Sequence, residues 1–129
     1  MRLVTRLGLL LCLAACCGCG KKSTDELIAD VNGDNPRDRL VAARLLPDRK
    51  GDASKVVPIL IELLKDKSVD IRISAAIGLG SFGEQAKDAI PALQATQHDL
   101  DRRVRDAAGT ALSRIAPDRF PHTSNPAMK

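Results

Sequence analysis

The chain has 129 residues, with 20 Lys and Arg against 16 Asp and Glu, and it contains no Trp, no Tyr and only two Phe. This length suits one small domain, whose core must be built from Leu, Ile, Val and Ala. Leaving out the first 15 residues removes Arg2 and Arg6, so the formal net charge falls from +4 to +2, with 18 basic against 16 acidic residues. The charge balance therefore gives no argument for nucleic-acid binding.

The N-terminal segment has the layout of an export signal. Residues 1–6, MRLVTR, carry two arginines and no acid, and residues 7–15, LGLLLCLAA, form an apolar run of nine that ends in small residues. A membrane-spanning helix needs roughly 20 apolar residues. We therefore expect residues 1–15 to be a signal peptide.

The residues at the end of this run resemble a bacterial lipoprotein signal. Leu13-Ala14-Ala15-Cys16 is similar to a lipobox, with a Leu three places before a Cys and small residues between them. The resemblance implies that Cys16 becomes the mature N-terminus, carries a diacylglycerol group and anchors the protein at a membrane of the cell envelope. Residues 16–23 would then be a leash, and Cys17 or Cys19 would be the alternative lipidated residue.

Two other interpretations of the cysteine cluster remain open. Zinc sites need four ligands, normally in pairs separated by a turn or a fold, whereas Cys16, Cys17 and Cys19 crowd together far from His98 and His122. A disulfide between the second and third of these cysteines would be strained and would join no distant segments. The lipid anchor is the interpretation that we favour.

The remainder of the chain repeats at a spacing of 33 residues. A fixed period in this range is typical of a solenoid, in which stacked units bury one continuous core. We place three units at about 24–50, 51–83 and 84–116, followed by a disordered tail over 117–129. The residues in register are Arg39, Arg72 and Arg105; Ala42, Ala75 and Ala108; Leu46, Leu79 and Leu112; and Leu27, Leu60 and Leu93.

Each unit is predicted to contain two helices. In the middle unit, Ile71, Ala75, Leu79 and Phe82 share one helical face at 100° per residue. The predicted fold is therefore all-α, an α-solenoid (α/α superhelix) of about three helix pairs. The predicted helices cover residues 24–31, 36–46, 54–65, 69–82, 84–97 and 101–115.

The second and third units resemble HEAT repeats. That family has a Pro in its first helix, an Asp eight residues later and an Arg six residues beyond the Asp, as in Pro58, Asp66 and Arg72. The third unit matches with Pro91, Asp99 and Arg105, whereas the first unit keeps only Arg39. The resemblance implies an α-solenoid that binds other proteins.

The Asp and Arg residues of this motif have a structural interpretation. In the family that the sequence resembles they form a ladder between neighbouring units, and Asp side chains in such turns can also cap helices. A ladder of this kind fixes the register in which the units stack. The residues assigned to it are Asp66, Arg72, Asp99, Arg105 and Arg39.

A candidate partner-binding patch follows from comparing the units. Ile73 and Ile77 lie opposite the core line of their helix, about 160° from Ala75. In unit one Leu40 stands in register with Ile73, whereas polar residues occupy both positions in unit three. The patch is either an exposed partner site or the wider apolar arc of a unit covered on both sides.

No residue set in the chain indicates catalysis, a metal or a cofactor. Arginines on the last predicted helix alternate with acids, which is typical of a solvated face. We therefore expect a non-catalytic protein-interaction adaptor that binds a protein partner and a membrane, but no nucleic acid or small-molecule substrate. The alternatives are a structural or accessory lipoprotein of an envelope assembly and an accessory subunit of a lyase-type enzyme.

Overall fold

The computed structural model describes residues 20–121. Within them the protein is all-helical, without a strand, which confirms the predicted fold class. The predicted signal peptide, Cys16 and the last eight residues lie outside the described part of the chain. The helices are α1 (Thr24–Val31), α2 (Pro36–Leu45), α3 (Ala53–Leu63), α4 (Val69–Phe82), α5 (Ile90–Thr96) and α6 (Arg102–Ile115), with 3-10 turns at Leu46–Asp48, Lys50–Asp52 and Gly83–Ala89.

Local hydrogen bonds set where several helices begin. The Ser23 hydroxyl accepts the Glu26 amide at 3.2 Å, and the Glu26 carboxylate accepts the Ser23 amide at 2.6 Å, a reciprocal capping box. Asn35 and Asp101 cap α2 and α6 in a simpler way, because each accepts the amide two residues further on. The N-termini of α1, α2 and α6 are therefore determined by polar residues that immediately precede each helix.

The core follows the 33-residue register. α1 packs on α2, α3 on α4 and α5 on α6, and α4 also contacts α2 and α6. The equivalent leucines and alanines of the three units are buried together at these contacts, so the repeated positions form one continuous core. The fully buried sets are Leu27, Leu60 and Leu93; Leu46, Leu79 and Leu112; and Ala42, Ala75 and Ala108.

Two glycines let α4 approach its neighbours closely. A Cβ built on Gly78 would lie 2.6 Å from Cγ of Pro47, and one built on Gly80 would lie 3.0 Å from Cα of Ala111 in α6. Carbon atoms in contact normally stay at least about 3.5 Å apart. The tight packing of α4 therefore depends on the absence of side chains at these positions.

The structure differs from the predicted helices in two places. The predicted helix over residues 84–97 is split, because Ala86 has non-helical dihedral angles and Pro91 lies in the first turn of α5. A proline removes one backbone hydrogen bond and crowds the carbonyl four residues earlier, which favours a break where the dihedral angles also depart from helical values, as at Ala86. α3 begins at Ala53, which places the exposed Pro58 inside the helix rather than in its first turn.

The chain turns back after α6. The amide of Phe120 donates to the carbonyl of Ala116 at 3.0 Å, and the half-buried Phe120 ring packs against the core. Residues 117–121 of the predicted tail therefore form a turn on the end of the domain, and residues 122–129 lie outside the described part.

Candidate partner-binding surface

The Arg and Asp of the repeat motif meet between units. Arg72 on α4 donates from Nε to Asp99 Oδ2 at 2.8 Å and from Nη2 to Asp99 Oδ1 at 3.0 Å. Its Nη1 donates to the carbonyl oxygen of Asp66, in the turn that precedes α4, at 2.8 Å. One guanidinium thus joins the turn of its own unit to the carboxylate of the next unit in a bidentate pair.

A second ion pair of the same kind joins units one and two, where Arg39 donates to Asp66. The aspartates also hold their own turns, because Asp66 accepts the Ser68 amide at 2.7 Å and Asp99 accepts the Asp101 amide at 2.9 Å. The hydrogen bond from Arg72 holds the pKa of Asp99 below its usual value. The charged groups of these two ion pairs bind each other and their own turns, so they have little remaining hydrogen-bonding capacity for an external ligand.

Ile73 and Ile77 form a ridge along α4 between two clefts. Ile77 is 53% exposed, whereas Ile73 is half-buried. A cleft of about 500 Å³ lies on the α2 side and includes Arg44 and Pro47 in its lining. A cleft of about 350 Å³ lies on the α6 side and includes Thr110. We call these two isoleucines the Ile73–Ile77 ridge.

Leu40, predicted together with the ridge, lies apart from it. Its side chain is half-buried and packs against the core, and it lines neither of the two clefts. The register position is the same as that of Ile73, but in unit one its side chain turns towards the core. The structure therefore separates Leu40 from the candidate surface.

The exposed apolar residues of α2 were not singled out from the sequence. Val41 is 53% exposed and Leu45 is 40% exposed, although neither lines a cleft beside the ridge. A comparison of register positions misses them, because the residues in register with Val41 and Leu45 are small in the other two units. The 33-residue pattern thus predicts which positions are buried better than which apolar side chains remain exposed.

The charges beside the ridge are mixed. Within residues 20–121, Arg44 on the α2 side and Arg114 on the α6 side are exposed and make no ion pair. Lys50 lies in the first cleft, where it donates to the Ser81 carbonyl at 2.7 Å and stands 4.1 Å above the Phe82 ring. Burial lowers the pKa of Lys50. Carboxylates also line both clefts, so the apolar ridge lies between two clefts that each carry both signs of charge. These carboxylates are Asp48 and Asp70 on the α2 side and Asp106 on the α6 side.

The described part of the chain shows no arrangement for metal chemistry. No group of three or more His, Cys, Asp and Glu side chains within residues 20–121 is placed to hold a metal ion. His98 is exposed in the turn before α6. Among these same residues, no helix has both the length and the apolar character needed to cross a bilayer.

The fold and the inter-unit pairs define a helical-repeat protein. A family model described as HEAT repeats matches residues 24–113, which is more than half of the chain and extends from the first unit into the third. The chain belongs to the HEAT repeat family. It is also similar to the uncharacterized protein SkfG of Bacillus subtilis (strain 168), with 28% identity over 97 residues, covering 75% of this chain and 56% of that protein. The chain thus spans just over half the length of this relative.

Proposed function

We propose that the protein is a non-catalytic adaptor that binds another protein, tethered through a lipid on Cys16 to a membrane of the bacterial cell envelope. HEAT repeats generally form scaffolds for protein interactions, and this chain belongs to that family. The observation that carries the proposal is the exposure of Ile77 at the centre of the repeat domain, between two clefts. Exposed apolar groups that lie beside clefts favour a partner surface.

The ridge can bind without disturbing the scaffold. The leucine layers and the Arg–Asp pairs that join the units lie elsewhere, so little of the folding free energy depends on Ile77. Complete burial of an isoleucine side chain contributes about 1.5–3 kcal/mol. Because Ile77 is 53% exposed, a partner that covers it gains about half of this free energy, about 1 kcal/mol.

The proposed location rests on the N-terminal sequence. The basic residues 1–6, the apolar residues 7–15 and the Leu13-Ala14-Ala15-Cys16 motif support export and lipidation. Two or more acyl chains hold a protein stably at a membrane, whereas one chain binds only marginally. The lysine pair at positions 21 and 22 would then face anionic head groups close to the membrane surface.

The partner surface is tested by crosslinking at Ser74, which lines the cleft beside Ile77. A photo-crosslinking amino acid at position 74 is expected to give one discrete protein adduct in intact cells. That adduct should be lost in the Ile77→Ser background and kept in the Val41→Ser background. Val41 is the matched control, because it is also 53% exposed but lines neither cleft.

Both serine variants are expected to lose a similar, small amount of stability, about 1 kcal/mol each, since each side chain is already half in water. A large fall in melting temperature for Ile77→Ser alone would show that Ile77 belongs to the core and would contradict the proposal. Absence of any adduct from position 74 would favour a structural lipoprotein without a discrete ligand. An adduct with a lyase would specify the accessory-subunit alternative.

A further inference from the structure

Arg105, the last arginine of the repeat motif, has three of its five N–H donors without an acceptor among residues 20–121. Arg105 on α6 donates from Nη1 to the carbonyl oxygens of Asp99 at 2.7 Å and of Leu100 at 3.0 Å. Within residues 20–121 its Nε and Nη2 donate to no acceptor, and the side chain forms no ion pair. The guanidinium is thus fixed at one edge and open at the other.

The open edge has the same form as the edge that binds Asp99 one unit earlier. Nη1 of Arg72 also donates to carbonyls of the turn before its own helix, those of Asp66 and Lys67. Its Nε and Nη2 donate to the Asp99 carboxylate. No described residue stands in the place of Asp99 beside Arg105. The Nε and Nη2 donors of Arg105 therefore form a preformed fork that can bind a carboxylate. No carboxylate among the described residues occupies it.

Arg105 lines a cleft at the C-terminal end of the domain. This cleft has a volume of about 580 Å³, and its lining includes Arg105, Gln97, Arg119 and Phe120. Arg119 is a second guanidinium and lies 5.5 Å from the centre of the Phe120 ring. Asp106 is the carboxylate of this lining, and it already pairs with Arg102 at 3.6 Å. With two guanidiniums and one carboxylate that is already paired, the cleft favours an anionic ligand.

We propose that Arg105 anchors an Asp or Glu side chain from an acidic segment of a different protein, which docks in this end cleft. The inference rests on the proposed adaptor function and adds a second contact point, with a stated chemistry, to the Ile73–Ile77 ridge. A second copy of this chain stacked in the ladder register does not supply the carboxylate, because unit one carries Gly33 where the other units carry Asp66 and Asp99. This rules out a copy stacked in that register, and we assign the carboxylate to a different protein on the charge balance of the cleft.

The geometry reduces the entropy that binding costs. An arginine side chain loses rotamer freedom when it is immobilised by a ligand. In Arg105 the two Nη1 hydrogen bonds already restrict the guanidinium. Its planar fork presents two parallel donors, which lysine cannot do.

The test uses the full chain and a twelve-residue peptide of alternating Asp and Ala as the probe. In an NMR titration, the peptide is expected to shift the Nε–Hε resonance of Arg105, whereas the counterpart with Asn in place of Asp leaves it unmoved. Arg105→Lys should weaken binding roughly tenfold, as expected for loss of a charge-assisted bidentate pair. Arg102→Lys, on the same helix and with the same net charge, is the control and should bind like the wild type.

Three outcomes would overturn the proposal. The Arg105 resonance could stay fixed while signals elsewhere move, both lysine variants could weaken binding equally, or inorganic phosphate could reproduce the shift when the acidic peptide does not. The wild-type titration decides the matter even if Arg105→Lys fails to fold. If the acidic peptide does not bind at Arg105 while the Ile77-dependent adduct at position 74 persists, the adaptor function stands. Only the proposed anchor in the end cleft is then wrong.

Discussion

Gly80 controls how closely α4 and α6 approach each other. Glycine normally lowers helix stability by about 1 kcal/mol relative to alanine, so its place inside α4 needs a compensating contact. That contact is the backbone of Ala111, 3.0 Å from where a Cβ of Gly80 would be. Gly109 in α6 has no such neighbour, because its Cβ would meet only the Gln97 amide nitrogen at 3.7 Å. Glycine is thus required for close packing at position 80, whereas at position 109 the packing leaves room for a methyl group.

Gly80→Ala is expected to destabilise the protein by about 1–2 kcal/mol, because the clash with backbone exceeds the gain in helix propensity. Gly109→Ala is its matched control and should stabilise by about 0.5–1 kcal/mol, since alanine occupies the equivalent position in the other two units. Thermal unfolding measures both, with about 4–8 °C expected per kcal/mol for a domain of this size. A rise in melting temperature for Gly80→Ala would contradict the close packing of α4 on α6.

Two positions that are equivalent in the 33-residue repeat differ in their surroundings, which the repeat register alone cannot predict. Ile73 and Leu40 are equivalent in the repeat, yet only Ile73 lines the clefts beside the ridge. The sequence located the apolar residues but could not tell which neighbouring helix would cover each of them. That choice depends on contacts between helices that are distant in the chain.

The helix pairs are the elements that the sequence predicts best. α1 and α4 begin and end where the sequence pattern predicts, at Thr24–Val31 and Val69–Phe82. The predicted α-helix was wrong over residues 84–89, because the apolar spacing suits an α-helix while the non-helical dihedral angles of Ala86 and the ring of Pro91 interrupt one. Backbone geometry imposed by these two residues overrides side-chain periodicity there.

The Arg72–Asp99 pair joins two elements and makes the stability of the domain depend on pH. The pKa of Asp99 is lowered in the folded protein, whereas in the unfolded chain it is near 3.9. Folding therefore favours the charged carboxylate, and the contribution is complete above the unfolded pKa. It is lost as the pH falls through the lower pKa of the folded state.

Asp99→Asn is accordingly expected to destabilise the protein at pH 7 by about 1–3 kcal/mol, because Arg72 loses its charged partner. The difference from wild type should shrink as the pH falls from about 4, near the unfolded pKa, through the lower pKa of the folded state, where the wild-type carboxylate takes up its proton. Denaturant unfolding at several pH values measures this difference. Asp106→Asn, which removes an exposed i,i+4 pair with Arg102, is the control and should cost less than about 0.5 kcal/mol. A difference that does not vary with pH would contradict an ionic role for Asp99.

At the scale of the whole molecule, the proposed anchor determines where the adaptor works. Membrane fractionation and intact mass, compared between wild type and Cys16→Ala in a bacterial host, are the direct measurements. The wild type is expected in the membrane fraction, with a mass that fits cleavage before Cys16 and added acyl chains, because two or more chains bind stably. The variant should be released from membranes. An unprocessed wild-type product outside the membrane fraction would reopen the cysteine cluster as a metal or redox site.

The sequence by itself determined the all-helical fold, most of the helices and the buried leucine and alanine layers. These features rest on periodic burial and on capping hydrogen bonds within a few residues. Only the tertiary structure decided that Gly80 touches Ala111, that Leu40 leaves the Ile73–Ile77 ridge and that Arg105 keeps an open fork. Each of these depends on which residues of other elements lie nearby, which the packing of the whole domain sets and no local pattern encodes.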